Sequence, residues 1–453
     1  MSSLPCFVAS LGLLFSLSPL AAQQTYEFRG GSWWNGSSFE PRAMYSVENT
    51  FSSRRPAQVD SVIDLSGMFV VPPYGEAHTH TVAYVPSRTV DLLKDGVFYA
   101  LILNVGREAI GRSVTWFNRR NSLDVNFAAA GVTAPDGHPM QIMARRGATA
   151  EELDGDWVTT VETEDDLEAK WPALREANPD VIKVFLLYSE QYRERRGNPD
   201  IPARYRGMEP SLVPSIVRRA HREGLRVAAH VRTAHDFHVA VEAGVDIVAH
   251  LPGFSMGPSS QADLDDPDRM ADIEHPEWFR IDPRDAERAA QAGITVVPTI
   301  GRVDPVGEGP DSLPESARRL LDRLVTVRRE VLTANLRLLK DHGVTLAAGS
   351  DAGEGSPVTE VLELERLGVF SRAELLNMLT RGAAHVIFPG RSLGRLEAGF
   401  EASFLALAAD PTQRLDNLRS IRLRFKQGAP LDLEAVERIA AEQVPASTTR
   451  TTR

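Results

Sequence analysis

The chain has 453 residues, of which 43% are hydrophobic and 25% are charged. These fractions are those of an ordinary globular protein and exclude wholesale disorder and collagen-like structure. The formal net charge of -11 argues against general binding to nucleic acid or to anionic membranes. The single cysteine, Cys6, excludes an intramolecular disulfide and a cysteine-based zinc or iron–sulfur site. A metal site would therefore be built mainly from the 11 histidines and from carboxylates.

The first 22 residues have the features of a secretory signal peptide. They contain no charged side chain, their middle is mostly apolar, and Leu20-Ala21-Ala22 offers small residues near a cleavage point. The apolar part is shorter than the roughly 20 residues that a membrane span needs. We therefore expect residues 1–22 to be removed, the protein to be secreted or periplasmic, and no stable membrane insertion afterwards. An uncleaved anchor or a buried strand is the alternative.

Both ends of the remaining chain read as short strands. Aromatic and β-branched runs over residues 25–71 are interrupted by Gly-Gly, Asn-Gly and Ser-Gly turns, and two similar runs follow residue 400. We expect residues 23–72 and 390–435 to form one small β-sandwich domain. A C-terminal helix and a flexible tail are expected over residues 436–453.

Residues 73–389 alternate short apolar runs with helical patterns, which predicts βαβ units and a parallel sheet. Gly224, Gly293 and Gly343 stand where a helix end needs a residue at positive φ. Eight strands in about 320 residues match an α/β fold of the (β/α)8 TIM-barrel type with insertions. An open doubly wound sheet is the alternative, although no dinucleotide fingerprint or phosphate loop supports it. The predicted strands are Met68–Val71, Val97–Asn104, Asn126–Ala130, Val181–Leu187, Leu225–His230, Ile247–His250, Ile294–Pro298 and Val344–Ala348.

Residues that can bind a metal stand at the ends of these strands, where a barrel carries its chemistry. His78 and His80 are two residues apart, a spacing that points both imidazoles to the same side of a strand. Each of these residues alone could have a purely structural role. Their joint placement at the strand ends is what indicates a metal site. The set is His78, His80, Lys183, His230, His250 and Asp351.

Lys183 lies inside an apolar strand, where an unpaired charge is costly. One explanation is a lysine that pairs with an acid at the barrel mouth. The other is that burial lowers its pKa, so that the neutral amine takes up carbon dioxide. The resulting carbamate is a bidentate anion that can bridge two metals.

The ordered set of motifs resembles the amidohydrolase superfamily, in particular the branches related to imidazolonepropionase and to the carboxylated-lysine dipeptidases. The resemblance covers nearly the whole chain after the signal peptide, including the divided β domain. The motifs that carry it are Pro72-Pro73-Tyr74-Gly75-Glu76-Ala77-His78-Thr79-His80, Ile182-Lys183-Val184, His230-Val231-Arg232, Ala243-Gly244-Val245-Asp246-Ile247-Val248-Ala249-His250-Leu251 and Gly349-Ser350-Asp351-Ala352.

The resemblance implies a centre of two divalent metal ions. By position, His78, His80 and Asp351 would hold one metal, His230 and His250 the other, and carboxylated Lys183 and a hydroxide would bridge them. Two such cations acidify bound water and polarise a carbonyl, and Asp351 would carry the proton to the leaving group. Zinc is the default metal for this nitrogen and oxygen donor set. Glu76 stands where many relatives carry Asp.

Substrate-binding groups are expected on the same loops. Arg232 could grip a substrate carboxylate, or it could form a salt bridge with a local acid. His138 could donate to the scissile carbonyl, although a solvated loop histidine is the alternative. Tyr188 and Tyr192 follow the Lys183 strand and would line the pocket. The expected substrate is a small molecule, either a dipeptide, an N-acyl amino acid or a cyclic amide, and a homo-oligomer is compatible with these features.

Three other functions stay open at this stage. An ester or lactone could be hydrolysed at the same centre. Ser255 lies in a Gly-x-Ser-x-Gly motif, followed by Asp351 and His385 in the order of a serine hydrolase, but the residues after it look like a loop and not a helix. A binding protein that has lost its chemistry is the third, and the complete ligand set argues against it.

Overall fold

The computed structural model describes residues 24–145, 147–253, 267–301, 315–351 and 355–443. The predicted signal peptide and Ser255 lie outside these residues, as does most of the predicted tail. The described part is a mixed α/β fold with parallel and antiparallel sheets. Across these ranges we find no helix with both the length and the apolarity needed to span a membrane.

The described residues form the following strands and helices, given in chain order. The strands are β1 (Tyr26–Arg29), β2 (Ser32–Trp34), β3 (Phe39–Pro41), β4 (Met44–Val47), β5 (Thr50–Ser52), β6 (Ser61–Asp64), β7 (Phe69–Val71), β8 (Tyr74–Thr79), β9 (Val97–Val105), β10 (Asp124–Ala129), β11 (Gly131–Thr133), β12 (Val158–Thr160), β13 (Val181–Phe185), β14 (Arg226–His230), β15 (Ile247–Ala249), β16 (Thr295–Val297), β17 (Thr345–Leu346), β18 (Phe404–Leu407), β19 (Ile421–Lys426) and β20 (Ala429–Pro430). The α-helices are α1 (Pro86–Lys94), α2 (Arg107–Ser113), α3 (Met140–Ala144), α4 (Ala150–Leu153), α5 (Glu164–Glu176), α6 (Tyr192–Arg195), α7 (Val213–Arg222), α8 (Ala234–Ala243), α9 (Pro267–Glu274), α10 (Pro283–Gln291), α11 (Glu315–Asp341), α12 (Pro357–Arg366), α13 (Arg372–Asn377), α14 (Ala383–Ile387) and α15 (Leu433–Glu442). Short 3-10 turns cover Ser189–Gln191, Ala203–Tyr205, Pro210–Leu212, Pro276–Phe279 and Leu415–Arg419, and a π-helical turn covers Met378–Gly382.

Two sheets are built from the end regions of the chain. One contains only N-terminal strands in the order β5-β4-β1-β6, and the other combines strands from both ends in the order β20-β19-β18-β7-β2-β3. Phe28 of the first sheet packs edge-on against Phe404 and Phe425 of the second, with ring centroids 5.0 and 5.1 Å apart. The predicted strands near both termini are thus confirmed, and they share an aromatic core.

The middle of the chain forms parallel strands. Seven of them have the order β12-β11-β13-β14-β15-β16-β17, and β8, β9 and β10 form a three-stranded sheet. Backbone hydrogen bonds join the two sheets at both edges, from Asp180 N to Phe127 O (2.9 Å) and from Ala77 N to Ala348 O (3.0 Å). The carboxyl ends of these strands therefore lie near one another.

One predicted strand is corrected. The run Met68–Val71 was expected to begin the parallel sheet, but β7 pairs with β18 and β2 in the six-stranded sheet. The parallel set begins instead at β8, which pairs with β9. Pro72 and Pro73 separate the two strands, and since proline has no backbone N–H to donate, the chain leaves one sheet there and enters the other.

The helix ends that precede the strands follow the predicted local chemistry. Gly224, Gly293 and Gly343 have φ values of 73, 69 and 75°. Thr233 caps α8 by accepting a hydrogen bond from Asp236 N, and the Asp236 carboxylate accepts one from Thr233 N. Each of these signals fixes where a helix stops or starts beside a strand of the parallel set.

Candidate metal centre

Three of the predicted ligands converge closely at the ends of β8 and β17. His78 Nε2 and His80 Nε2 are 3.1 Å apart. Asp351 Oδ1 lies 3.5 Å from His78 Nε2 and 3.1 Å from His80 Nε2. His78 is closed to solvent, whereas the side chains of His80 and Asp351 are 36% and 35% exposed. The three donor atoms thus face one point that solvent can reach.

Hydrogen bonding sets the tautomer of His80. Its Nδ1 lies 3.0 Å from the backbone oxygen of Asn104. A carbonyl oxygen only accepts, so Nδ1 carries the proton and Nε2 presents a lone pair toward His78 and Asp351. The buried Nδ1 of His78 has no hydrogen-bond partner among the described residues. A lone pair, a second imidazole nitrogen and a carboxylate oxygen around one point are a donor set that suits a divalent cation.

Lys183 extends from β13 into the interior. It is 1% exposed, and its Nζ has no hydrogen-bond partner in the part of the chain that the structure describes. Burial lowers the pKa of Lys183 to about 7, and the carboxylate of Asp351 opposes that shift. Gly131 lies directly against it, since a Cβ at position 131 would be 3.1 Å from Lys183 Cβ. The amine is therefore buried, without a hydrogen-bond partner among the described residues, and about half of it is in the neutral form near pH 7.

Three further histidines extend the cluster. The ring centroids of His230 and His250 are 4.4 Å apart, and that of His78 lies 4.8 Å from His250. The His138 ring is stacked on His230 at 4.8 Å. Burial, reinforced by neighbouring imidazoles and Lys183, lowers the pKa of His230 well below its ordinary value. Neutral imidazoles are the form that binds metals.

Glu76 ties the two ligand-bearing segments together. Its Oε1 accepts hydrogen bonds from His78 N (3.1 Å) and Ser350 N (2.8 Å), and its Oε2 accepts from Ser350 Oγ (2.6 Å). Burial raises its pKa to about 7 against the lowering effect of these bonds. The longer carboxylate at this position thus supports the backbone on both sides of the site without entering it.

The backbone is strained where the strands end. Tyr188, His250, Thr299 and Asp351 follow β13, β15, β16 and β17 with φ values of 50, 77, 43 and 50°. Residues other than glycine are uncommon in this left-handed region, and each costs on the order of 1–3 kcal/mol. Such conformations persist only where the surroundings hold them, and they concentrate at functional sites.

Comparison with known proteins identifies the group to which this architecture belongs. The sequence profile described as "Amidohydrolase family" matches residues 139–430, more than half of the chain. The chain belongs to the amidohydrolase family. It is therefore a hydrolase that acts on carbon–nitrogen bonds, in a family that typically uses metal ions.

Solved structures share the fold of this amidohydrolase at low sequence identity. A Xaa-Pro dipeptidase with bound methionine is 17% identical, with a TM-score of 0.65, and the match covers 90% of this chain and 100% of that one. The ochratoxinase of A. niger is 16% identical (TM-score 0.66; 90% and 96% covered), and phenylurea hydrolase B is 15% identical (TM-score 0.64; 92% and 98% covered). Comparison with curated protein sequences finds no match.

The predicted substrate residues of this amidohydrolase occupy two environments. Arg232 pairs with Asp272 at 2.9 Å, and the Tyr188 hydroxyl donates to the same carboxylate at 2.7 Å. Burial lowers the pKa of His250, and the positive charge of Arg232 adds to that shift. Burial raises the pKa of the Tyr192 hydroxyl, and the charged groups that also affect it, Arg196 and nearby acids, are not members of the histidine cluster. Substrate contact by Arg232, Tyr188 and Tyr192 stays a prediction.

His138 is oriented by a residue that the sequence did not single out. Gln141 Nε2 lies 2.8 Å from His138 Nδ1, and because an amide nitrogen donates, the ring proton is left on Nε2. Burial and the neighbouring His250 lower the pKa of His138 to about 3, so the ring is neutral. A neutral imidazole with a proton on Nε2 can donate a hydrogen bond to a carbonyl oxygen.

Several supporting residues carried no signal in the sequence. Asn104, Gln141, Thr299 and Ser350 each bond to a ligand, to His138 or to Glu76, yet their residue types are common in loops. Ser350 alone could have been found, because it directly precedes Asp351. The others depend on contacts between distant parts of the chain.

Two other features do not belong to the cluster. His238, Glu242 and Asp285 also place ligand-type atoms close together, but His238 pairs with Asp285 (2.9 Å) and Glu242 pairs with Arg288. His385 is exposed and lines a separate cavity of about 850 Å³ that includes none of the six predicted ligands. The serine-hydrolase alternative, which needs His385 beside Asp351, gains no support.

Proposed function

We propose that the protein is a metal-dependent amidohydrolase that cleaves the amide bond of a small molecule: a dipeptide, an N-acyl amino acid or a cyclic amide. The observation that carries the proposal is the convergence of His78 Nε2, His80 Nε2 and Asp351 Oδ1, with a 3.1 Å separation of the two imidazole nitrogens. The buried, unpartnered Nζ of Lys183 supports a second cation beside the first.

The residues present fit two divalent ions. His78, His80 and Asp351 would hold one, His230 and His250 the other, and Lys183 as a carbamate would serve both, with zinc as the default metal. Bound there, the ions would acidify a water molecule and polarise the scissile carbonyl. The carbamate forms when the neutral Lys183 amine adds to carbon dioxide and releases a proton, a step that a lowered pKa favours.

Asp351 would move the proton. Its carboxylate lies 3.1 Å from His80 Nε2 and 3.5 Å from His78 Nε2. From there it would accept the proton of the attacking water and pass it to the leaving nitrogen. His138 would orient the scissile carbonyl by donating from Nε2, because Gln141 occupies its Nδ1.

The architecture we propose is a (β/α)8 barrel over residues 73–389 with a β-sandwich from residues 23–72 and 390–435. The backbone bonds from β8 to the end of β17 and from β10 to the start of β13 support a closed barrel. The packing of Phe28 on Phe404 and Phe425 supports the sandwich. In such a barrel the cluster lies at the carboxyl ends of the strands, where barrels carry their active sites.

The neighbouring structures support the substrate class. They include a Xaa-Pro dipeptidase, an ochratoxinase and a phenylurea hydrolase by name. Arg232, near His250, supports a carboxylate-bearing substrate. The charge-free segment of residues 1–22 supports secretion or a periplasmic location, which the N-terminal sequence of the exported protein would test.

The decisive experiment combines metal analysis with turnover. We expect about two equivalents of divalent metal, activity on a panel of dipeptides and N-acyl amino acids, loss on chelation and recovery when metal is restored. Faster turnover of lactones than of amides would favour the esterase alternative. Inactivation by a serine-directed phosphonate with full activity in chelator would refute the proposal, as would a purified protein with neither metal nor turnover.

A further inference from the structure

Resting on the function proposed above, we propose that Thr299 is a positioning residue that orients the His250 imidazole and fixes its tautomer for metal binding. Thr299 follows β16, a strand that carries none of the six predicted ligands. Among the described residues, the predicted ligand that its hydroxyl contacts is His250.

The hydroxyl of Thr299 is placed to accept from His250. Thr299 Oγ1 lies 2.6 Å from His250 Nδ1 and donates its own proton to Pro298 O at 2.9 Å. With the hydroxyl proton committed to that carbonyl, the proton between the two side chains belongs to Nδ1. His250 Nε2 is then left with its lone pair. A ligating histidine whose other ring nitrogen donates is held in both orientation and tautomer.

The left-handed backbone conformation of Thr299 costs free energy. Such a conformation is not expected at a residue without a role. Its φ is 43°, in a region where a β-branched residue is a genuine outlier. His250 is itself left-handed with φ 77°. The two strained residues are neighbours through the Oγ1–Nδ1 contact, so the strain brings the hydroxyl and the ring together.

The peptide that follows Thr299 is held by two buried polar side chains. Ile300 N and Gly301 N donate to the carboxyl oxygens of Glu360 at 2.8 and 3.2 Å, and Arg328 donates to Ile300 O. Glu360 is 3% exposed and Arg328 is 5% exposed. These contacts fix the backbone on the C-terminal side of Thr299. They explain how the left-handed conformation persists, because the surroundings over-determine it.

Three variants separate the hydroxyl from the shape of the side chain. Thr299→Val keeps the β-branch and removes the hydroxyl, Thr299→Ala removes both, and Thr299→Ser keeps the hydroxyl. The readout is the affinity of the metal-free protein for Zn²⁺ in competition with a chromophoric chelator. We expect Thr299→Val and Thr299→Ala to weaken one of two bound equivalents by about 10- to 100-fold, the range for lost partners of a ligating histidine. Thr299→Ser should bind as the wild type does.

The tautomer gives a second readout that needs no metal. In the ¹⁵N spectrum of histidine-labelled protein, the wild type and Thr299→Ser should show His250 protonated at Nδ1, and Thr299→Val should lose that signature. If the wild type binds Zn²⁺ and Thr299→Val binds it equally well with an unchanged His250 spectrum, the role of Thr299 is refuted while the proposed function stands. If the wild type binds no Zn²⁺, the proposed function fails and this role fails with it.

Discussion

Lys426 Nζ lies 2.6 Å from Asp124 Oδ1, and both side chains are closed to solvent. The pair joins β19, near the C-terminus, to β10 of the parallel set. Arg391 bonds the other oxygen of Asp124 at 2.8 Å and reaches Glu401 at 2.6 Å. A buried network of charges thus connects the terminal sheets to the part of the chain that carries the metal ligands.

Asp124→Asn should destabilise the protein strongly. The change leaves the buried Lys426 ammonium without its counter-charge, and breaking a buried pair in this way costs about 3–5 kcal/mol. Urea unfolding would measure the loss. The double variant Asp124→Leu with Lys426→Met, which removes both charges, should recover part of it. A change below about 1 kcal/mol in the single variant would show that water or the carbonyl oxygen of Arg119 compensates.

Gly349→Ala should damage the metal centre through the backbone. A Cβ at position 349 would lie 2.6 Å from Val297 Cγ1 and 2.7 Å from His78 N. We expect a loss of about 1–3 kcal/mol in the free energy of unfolding, together with weaker metal binding as His78 shifts. Gly111→Ala is the matched control, because nothing lies within 4 Å of its Cβ position on helix α2, and it should be neutral or stabilising. Equal behaviour of the two variants would contradict this account.

Lys183→Ala should lose metal and activity together. Without the amine no carbamate can form, and we expect metal affinity to fall by about 10- to 100-fold or more. Acetate or propionate should restore part of the activity by occupying the space of the carbamate, and should not activate the wild type. Retention of two equivalents of metal in Lys183→Ala would be incompatible with a bridging role.

Arg232→Ala should discriminate between substrates. If the guanidinium contacts a substrate carboxylate, kcat/KM for carboxylate-bearing amides should fall by about 10- to 100-fold, the worth of a hydrogen bond to a charged group. Neutral amides should be affected much less, and Arg232→Lys should lie between the two. An equal loss on both substrate classes would assign Arg232 to the support of Asp272 instead.

Glu360 should make stability depend on pH. Burial raises its pKa to about 8 from an ordinary 4.5, while its backbone hydrogen bonds and Arg328 oppose the shift. The folded protein keeps this proton up to about pH 8, and the unfolded chain releases it near 4.5. The free energy of unfolding should therefore decrease as pH rises between these values, by at most about 1.4 kcal/mol per unit from this group.

Glu360→Gln replaces the titrating carboxyl group with an amide, which neither binds nor releases a proton in this pH range. Urea unfolding of both proteins from pH 5 to pH 8 should show a flatter dependence in Glu360→Gln than in the wild type. Parallel curves would mean that Glu360 is already ionised in the folded protein, held so by Arg328 and the two backbone amides.

The convergence of His78, His80 and Asp351 could be predicted from the sequence because strand ends depend on local order. Each parallel strand is short and apolar, so the polar residue that ends it is conspicuous, as with His230 and His250. The error over Met68–Val71 arose because β7 and β8 are both apolar and only the two prolines between them mark the change of sheet. The strands β11 and β12 were not predicted, because three residues are too few to show an alternating pattern of apolar and polar side chains.

The supporting residues could not be predicted for a different reason. Thr299 matters because its φ is positive and its hydroxyl contacts the His250 imidazole from another strand. Neither property follows from the residue type. The pairing of Arg232 with Asp272 joins a residue that follows β14 to a residue of α9. Such contacts depend on the folded geometry, whereas strand ends and helix caps depend on neighbours in the chain.

The pairing of β7 with β18 has a consequence for how the molecule is made. Leu405 pairs with Val71, so β7 acquires its second neighbour only after the ribosome has made residue 405. Pairings between such distant segments form slowly, and the six-stranded sheet must wait for them. If the first 22 residues direct export, the nascent protein would reach a translocation channel before its terminal sheets could close. The arrangement would then delay completion of the fold until the chain has crossed the membrane.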